Sequence, residues 1–232
     1  MGFITVNNIY REGKAYNTVI IFEQGVLVYL KIGIYKIHVF SGDQMSSHSF
    51  FKTLKFVTGN PNKVREAGQM LALEVEQANL EGLIEVQTND LSELVRHKLN
   101  QAYEVLKCPV MVEDSALIFS AWNGLPGALV KWFEKSVGCE GMIRMLEPFG
   151  NRSAIALCHV AVHDGSRILI AKGEVKGTIA NKPCGKNGFG WDVIFIPEGR
   201  TQTFAEMSPE DKNAISHRCK AFEELKEMLR II

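Results

Sequence analysis

The sequence predicts an α/β protein built on a mixed β-sheet with flanking helices, preceded by a β-rich N-terminal segment. Three observations carry this. From Leu54 onward, short buried strand-like runs alternate with amphipathic helix-like runs, the pattern of an α/β body. Two strand-like runs, 153–162 and 167–175, flank His163-Asp164-Gly165-Ser166 and read as an antiparallel hairpin, so the sheet is mixed. Before residue 54 the periodicity is that of strands alone.

Taken in order, residues 18–22, 26–30 and 34–40 form β-rich runs broken by glycines. A polar stretch, 41–49, reads as a linker, giving a β-rich extension of 1–53 and a main domain of 54–232. Residues 54–57 form a short buried strand. Gly59 then permits a tight turn, Asn60 suits a helix N-cap and Pro61 fits the first helical turn. A helix over 61–74 puts Val64, Ala67 and Leu71 on one face. A second helix over 91–107, capped by Asp90 and Glu93, does the same with Leu91, Leu94, Val95, Ala102 and Leu106. Residues 109–112 form a short strand that ends in Glu113-Asp114-Ser115. After the hairpin, the glycine-rich turn 185–192 leads into a strand over 193–196. Ser208-Pro209-Glu210-Asp211 starts a helical region that turns Ile215, Cys219, Phe222 and Leu229 inward.

The composition narrows the functional classes. A chain of 232 residues with 46% hydrophobic residues can bury a substantial core. Its 26 basic and 26 acidic residues leave no overall field to hold a nucleic-acid polymer, although a small anion needs only a local cluster. The five cysteines are widely spaced and contain no C-x-x-C pair, so zinc and redox motifs are not indicated and free thiols in a reducing cytosol are expected. The most apolar region, 19–40, is interrupted by Glu23, Lys31, Lys36 and His38, which argues against a membrane span. The N-terminus lacks the pattern of a secretory signal, and a cytoplasmic location is expected.

Several segments could carry chemistry. In the turn of Thr58, Gly59, Asn60, Pro61, Asn62 and Lys63, a helix N-terminus offers free N–H groups and a positive dipole end to an anion, and Lys63 adds charge. An ordinary strand-to-helix connection has the same local signature. Asp114, at a strand end, could be a metal ligand or general base. A second metal carboxylate would come from Glu85, Asp90 or Glu93, among which spacing does not choose. Gly185-Lys186-Asn187-Gly188-Phe189-Gly190-Trp191-Asp192 combines glycines that allow close ligand approach with an aromatic face, Phe189 or Trp191, for stacking a nucleobase. Lys212, Ser216, His217 and Arg218 crowd donors into one segment, although helical surfaces often carry such residues. Lys131 has the features of an ordinary exposed lysine, and His159, in an apolar strand, those of a core or edge residue.

In this order, these segments resemble the inosine triphosphate pyrophosphatase family over roughly residues 54–229. The motifs are Phe56-Val57-Thr58-Gly59-Asn60 with Lys63, Val112-Glu113-Asp114-Ser115, Gly124-Leu125-Pro126-Gly127, Lys131-Trp132-Phe133, Phe189-Gly190-Trp191-Asp192, Phe204-Ala205-Glu206-Met207 and Lys212-Asn213-Ala214-Ile215-Ser216-His217-Arg218. The resemblance implies an elongated mixed sheet whose helices form two lobes around a central cleft, and a homodimer. It implies Mg²⁺-dependent hydrolysis of ITP, dITP and XTP to the nucleoside monophosphate and pyrophosphate, with Mn²⁺ as a substitute metal. By the same resemblance the 58–63 loop receives the triphosphate, assisted by Lys98 and Lys131. Asp114 binds metal and helps activate water, Lys63 acts beside it, and Ser115 joins the substrate-binding set. Glu85-Val86-Gln87 matches the stretch that carries the family's other metal carboxylate, which selects Glu85. Phe189, Gly190, Trp191 and Asp192 with Lys212, His217 and Arg218 form the base pocket. The chain departs from the family pattern at Ile84, Thr88, Ala116 and Val193, where proline, glycine, glycine and proline are usual. These changes alter backbone shape and not charge. Two other readings are pyrophosphohydrolysis of other modified nucleotides and a non-catalytic nucleotide sensor.

Overall fold

The computed structural model describes residues 2–11, 14–23, 26–31, 38–40, 54–72 and 74–230. The chain divides into two compact units, Met1–Ser46 and Ser47–Ile232. The first contains an antiparallel sheet in the order β1 (Gly2–Arg11), β2 (Lys14–Glu23), β3 (Val26–Lys31) and β4 (His38–Phe40). The expected runs 18–22 and 26–30 fall within β2 and β3, whereas β1 was not anticipated. Within the run 34–40, His38–Phe40 is strand. Residues 34–37 and the linker expected at 41–49 lie outside the described residues.

The second unit is an α/β body. Its elements are β5 (Lys55–Val57), α1 (Pro61–Leu71), β6 (Glu76–Ala78), α2 (Leu91–Leu106), β7 (Val110–Phe119), β8 (Pro126–Gly127), α3 (Val130–Leu146), β9 (Ser153–His163), β10 (Ile168–Ile179), β11 (Phe195–Pro197), α4 (Pro209–Ile215) and α5 (His217–Arg230). The main sheet runs β11-β10-β9-β7-β5-β6, with β8 on β7. β5 is parallel to β6 and β7, and the other pairs are antiparallel, so the sheet is mixed as expected. Among the described residues no helix is long and apolar enough to cross a membrane.

Period-two alternation builds a core on each side of the sheet. Phe56 and Met111 pack with Ala67, Phe222 and Leu225 from α1 and α5. Their neighbours Val57, Val110 and Val112 pack with Val95, Leu99 and Ala102 of α2. Farther along β7 and β9, Leu117, Phe119 and Ala156 join Met142, Trp191, Phe195 and Phe204 in another cluster. Gly173 on β10 sets how closely α5 approaches, because a β-carbon there would lie 1.9 Å from the His217 carbonyl oxygen.

Several boundaries differ from the sequence reading. The first helix ends at Leu71, not 74, because Ala72 takes the left-handed conformation at φ 52°. The strand expected over 109–112 does not stop at Glu113-Asp114-Ser115: β7 continues to Phe119, driven by buried Ala116, Leu117 and Phe119. Of the strand expected over 193–196, Phe195 and Ile196 lie in β11, whereas Val193 ends a 3-10 turn, Gly190–Val193. The C-terminal helical region is two helices, broken where Ser216 adopts ψ 157°.

Candidate active site

The 58–63 loop opens the site. β5 pairs with β7 only as far as Phe56 and Met111, after which the loop leaves the sheet and uncovers the middle of β7. Asn60 Oδ1 accepts from Asn62 N–H at 2.9 Å and so caps α1, with Pro61 in its first turn. Thr58 Oγ1 accepts from Asn60 N–H at 3.1 Å, which fixes the loop from behind. The N-terminal end of α1 and the Lys63 side chain thereby face the exposed segment of β7, an arrangement that favours a bound anion.

Asp114 therefore stands within a strand, correcting its expected place at a strand end, but beside the point where the parallel neighbour departs. Lys63 Nζ donates to Asp114 Oδ1 at 3.2 Å and to the Glu113 carbonyl at 3.0 Å, and Lys98 Nζ donates to Asp114 Oδ2 at 2.9 Å. Burial alone would raise the Asp114 pKa, but Lys63 and Lys98 outweigh it and hold the carboxylate ionised below its ordinary range. For Lys63, burial is likewise outweighed, by Asp114 and Glu113, and its pKa is raised. Glu85 lies 3.7 Å from Lys98 Nζ and 3.5 Å from Lys131 Nζ. Of the three upstream carboxylates, Glu85 is thus the one sharing a cation with Asp114. Asp90 instead caps α2, and Glu93 accepts from the Thr88 hydroxyl.

These carboxylates are oxygen donors of the kind that a hard divalent cation takes. Two carboxylates converge on one ammonium, and among the described residues no group of three or more acidic, histidine or cysteine side chains forms a dedicated metal cage. Mg²⁺ characteristically takes one or two carboxylates and completes its shell with water and substrate phosphates.

Glu113 points to the other side of β7 into a buried ionic network. Arg218 Nη1 donates to Glu66 Oε2 at 2.5 Å, and its Nη2 donates to Glu113 Oε1 at 3.2 Å and Ser115 Oγ at 3.1 Å. Lys212 Nζ donates to Glu66 Oε1 at 2.9 Å and Asp192 Oδ2 at 2.7 Å. All five charged residues, Glu66, Glu113, Asp192, Lys212 and Arg218, are at most 4% exposed. Burial opposes ionisation of Glu113 and Glu66, yet Arg218, with Lys63 or Lys212, pulls both pKa values down. Asp192 differs: burial outweighs Lys212 and its pKa is raised. Lys212, Ser216, His217 and Arg218 are all buried, so the reading of this segment as an ordinary helical surface is set aside. Sequence reasoning missed Glu66, whose only local signal is its place one turn from Lys63 on α1.

A cleft of about 270 Å³ joins these parts. Of the residues singled out from sequence, Asn60, Lys63, Asp114, Ser115, Lys131, Phe189, Gly190, Trp191, Asp192, His217 and Arg218 line it, together with the unanticipated Val130 and Glu134. Thr58, Gly59, Pro61, Asn62, Lys98, Lys212 and Glu85 are not among its lining residues. Trp191 is only 7% exposed and packs on Phe195 and His217, which leaves half-buried Phe189 as the accessible flat ring. Lys212 Nζ and Arg218 Cζ lie 4.9 and 5.2 Å from the Phe189 ring centroid.

His217 is buried between Trp191 and Phe204, and neither ring nitrogen has a hydrogen-bond partner. Burial, then repulsion from Arg218 and Lys212, lowers its pKa well below 6.5 and keeps it neutral. Below about pH 6.5 the unfolded chain takes up a proton that folded His217 refuses. Stability should therefore fall by up to about 1.4 kcal/mol per pH unit until the folded residue titrates. Asp192 and Glu134, with raised carboxyl pKa values, act in the opposite sense. The readout is the difference in denaturant midpoint between pH 7.5 and 5.5 for wild type against His217→Phe. The variant should be the less acid-sensitive; equal sensitivity would mean that His217 is not held neutral.

A mixed α/β sheet opened at the end of a parallel strand, with a helix N-terminus and lysines turned toward paired carboxylates, defines a protein class suited to phosphorylated ligands. Within it, the chain belongs to the Ham1 family, which matches residues 54–228. It is 45% identical over 179 residues to an inosine triphosphate pyrophosphatase of Yarrowia lipolytica, covering 75% of this chain and 94% of that one. With the inosine triphosphate pyrophosphatase of Saccharomyces cerevisiae the identity is 43% over 186 residues, again 75% and 94% of the two chains. Among solved structures it resembles a HAM1 protein from Coxiella burnetii, with TM-score 0.65 and 28% identity over 77% of this chain and 98% of that one. It also resembles a nucleoside-triphosphatase / dITP/XTP pyrophosphatase from Mycobacterium abscessus, with TM-score 0.58 and 28% identity over 74% and 97% of the chains.

Proposed function

We propose that this protein hydrolyses ITP, dITP and XTP to the nucleoside monophosphate and pyrophosphate, clearing altered purine nucleotides from the pool. The relatives from Yarrowia lipolytica and Saccharomyces cerevisiae are named as inosine triphosphate pyrophosphatases, and the Mycobacterium abscessus protein as a dITP/XTP pyrophosphatase. The observation carrying this activity to this chain is the Asp114 carboxylate, held ionised between Lys63 and Lys98 beside the N-terminal end of α1. Residues 54–232 form the catalytic domain in this reading, and the β-rich segment 1–53 is an appendage to it. The working species is a cytoplasmic homodimer that acts on free nucleotides, in keeping with a balanced charge that offers no field for a nucleic-acid polymer.

The polyphosphate lies against the 58–63 loop, where Lys63, Lys98 and Lys131 neutralise it and stabilise the departing pyrophosphate. Asp114 orients a water molecule and accepts its proton. Glu85 and Asp114 would hold Mg²⁺, or Mn²⁺ in its place, and the bound ion would supply positive charge to neutralise the polyphosphate. The purine stacks on Phe189, with Gly190, Trp191, Asp192 and His217 around it.

Incubation with ITP and Mg²⁺ should release pyrophosphate, and EDTA should abolish the release. Orthophosphate as first product, or turnover without metal, would defeat the proposal. Glu85→Gln should raise the Mg²⁺ concentration needed for half-maximal rate while leaving the ITP-to-ATP preference in place. A silent Glu85→Gln alongside a damaging Glu93→Gln would transfer the metal role to Glu93.

A further inference from the structure

One cleft carboxylate has no task in this scheme. Glu134 lies on α3 one turn beyond Lys131, and both side chains line the cleft. Lys131 reaches toward Glu85 at the phosphate end. Glu134 instead lies against the 3-10 turn Gly190–Val193, where a β-carbon on Gly190 would stand 3.4 Å from its Oε2. Its position is thus beside Phe189 and Gly190, at the end assigned to the base.

The surrounding carboxylates all have cationic partners. Asp114 has Lys63 and Lys98, Asp192 has Lys212, and Glu85 has Lys98 and Lys131. Among the described residues no hydrogen bond or ion pair engages the half-buried Glu134 carboxyl. Burial, and after it the charge of Asp192, raises its pKa, and no cation of the protein offsets them. In the cleft lining, its oxygens are left to water or to a donor on a bound ligand.

We propose that Glu134 is a specificity-determining residue that accepts a hydrogen bond from the N1–H of a bound 6-oxopurine. Hypoxanthine and xanthine carry this donor. In adenine N1 is a bare lone pair, which a carboxylate held at the same place repels. Guanine also carries N1–H, so Glu134 separates 6-oxopurines from adenine and does not separate ITP from GTP. The inference rests on the function proposed above and adds a residue to its base recognition.

The test compares wild type, Glu134→Gln and Glu134→Leu in the full chain, using kcat/KM for ITP, GTP and ATP and calorimetric binding of IMP and AMP. A glutamine amide offers both an acceptor and a donor, so Glu134→Gln should accept either purine and lower the ITP-to-ATP ratio about tenfold or more. Glu134→Leu should lower kcat/KM for ITP and GTP together, mainly through KM, and raise that for ATP by removing the charge that repels adenine N1. An unaltered ITP-to-ATP ratio in both variants overturns the proposal. So does an equal loss on all three nucleotides, which would mark a structural role. If wild type fails to cleave ITP, the proposed function falls, and the IMP-over-AMP binding preference in wild type against Glu134→Gln still decides this inference.

Discussion

Asp114→Asn should lower kcat for ITP by about a thousandfold or more while leaving the chain folded. The substitution keeps the volume and one acceptor oxygen but removes the negative charge on which Lys63 and Lys98 converge at 3.2 and 2.9 Å. Loss of that charge removes both the proton acceptor and half of the carboxylate pair proposed to hold Mg²⁺. Folding should tolerate the change because other acceptors remain in place. Lys63 keeps the Glu113 carbonyl at 3.0 Å and the Glu113 carboxylate at 3.4 Å, and Lys98 keeps Glu85 at 3.7 Å. Steady-state turnover, a Mg²⁺ titration and a thermal melt on the same preparation decide the matter. A folded variant that retains a tenth of wild-type kcat would remove Asp114 from the chemistry.

The parts of this protein legible in its sequence are those fixed by neighbours in the chain. The hairpin joining β9 and β10 follows from alternating runs around Asp164, whose Oδ1 accepts from the backbone of Ser166 and Arg167. The cap at Asn60 follows from its place before Pro61. The end of β7 was misplaced for the opposite reason. Glu113 and Asp114 would stop a strand if left unpaired, but their partners arrive from distant segments: Lys63 is 51 residues from Asp114, and Arg218 is 105 from Glu113. Glu66 was missed on the same ground, since its partners Lys212 and Arg218 lie 146 and 152 residues away. The break at Ser216 had a weak local signal, because Ser216 Oγ accepts from Cys219 N–H and so caps the following helix. On an unbroken helix Lys212 and Arg218 would fall on different faces. The break lets both reach Glu66.

Arg218→Ala should destabilise the protein by roughly 3 kcal/mol or more, a drop of about 10 °C in Tm for a domain of this size. The resemblance placed Arg218 in the base pocket; if it donated there to the purine 6-oxo group, its removal would lower the ITP-to-ATP preference roughly five- to tenfold. In the structure the guanidinium lines the cleft, yet Nη1 is engaged by Glu66, Nη2 by Glu113 and Ser115, and only Nε lacks a partner. Truncation would leave Glu113, at 1% exposure, with Lys63 as its remaining cation, and Glu66 with Lys212. Breaking a buried pair from one side costs more than the pair itself contributes, because the orphaned charge stays out of water. Arg218→Lys separates the two roles. It restores the charge but not the fork that spans Glu66 and Glu113, so it should recover part of the lost Tm without recovering all of it. A structural keystone predicts that Tm falls and that ITP and ATP lose rate together. A base-reading arginine predicts a nearly unchanged Tm and a selective loss on ITP. The geometry favours the first outcome, and an Arg218→Ala protein melting within about 2 °C of wild type would return the residue to base recognition.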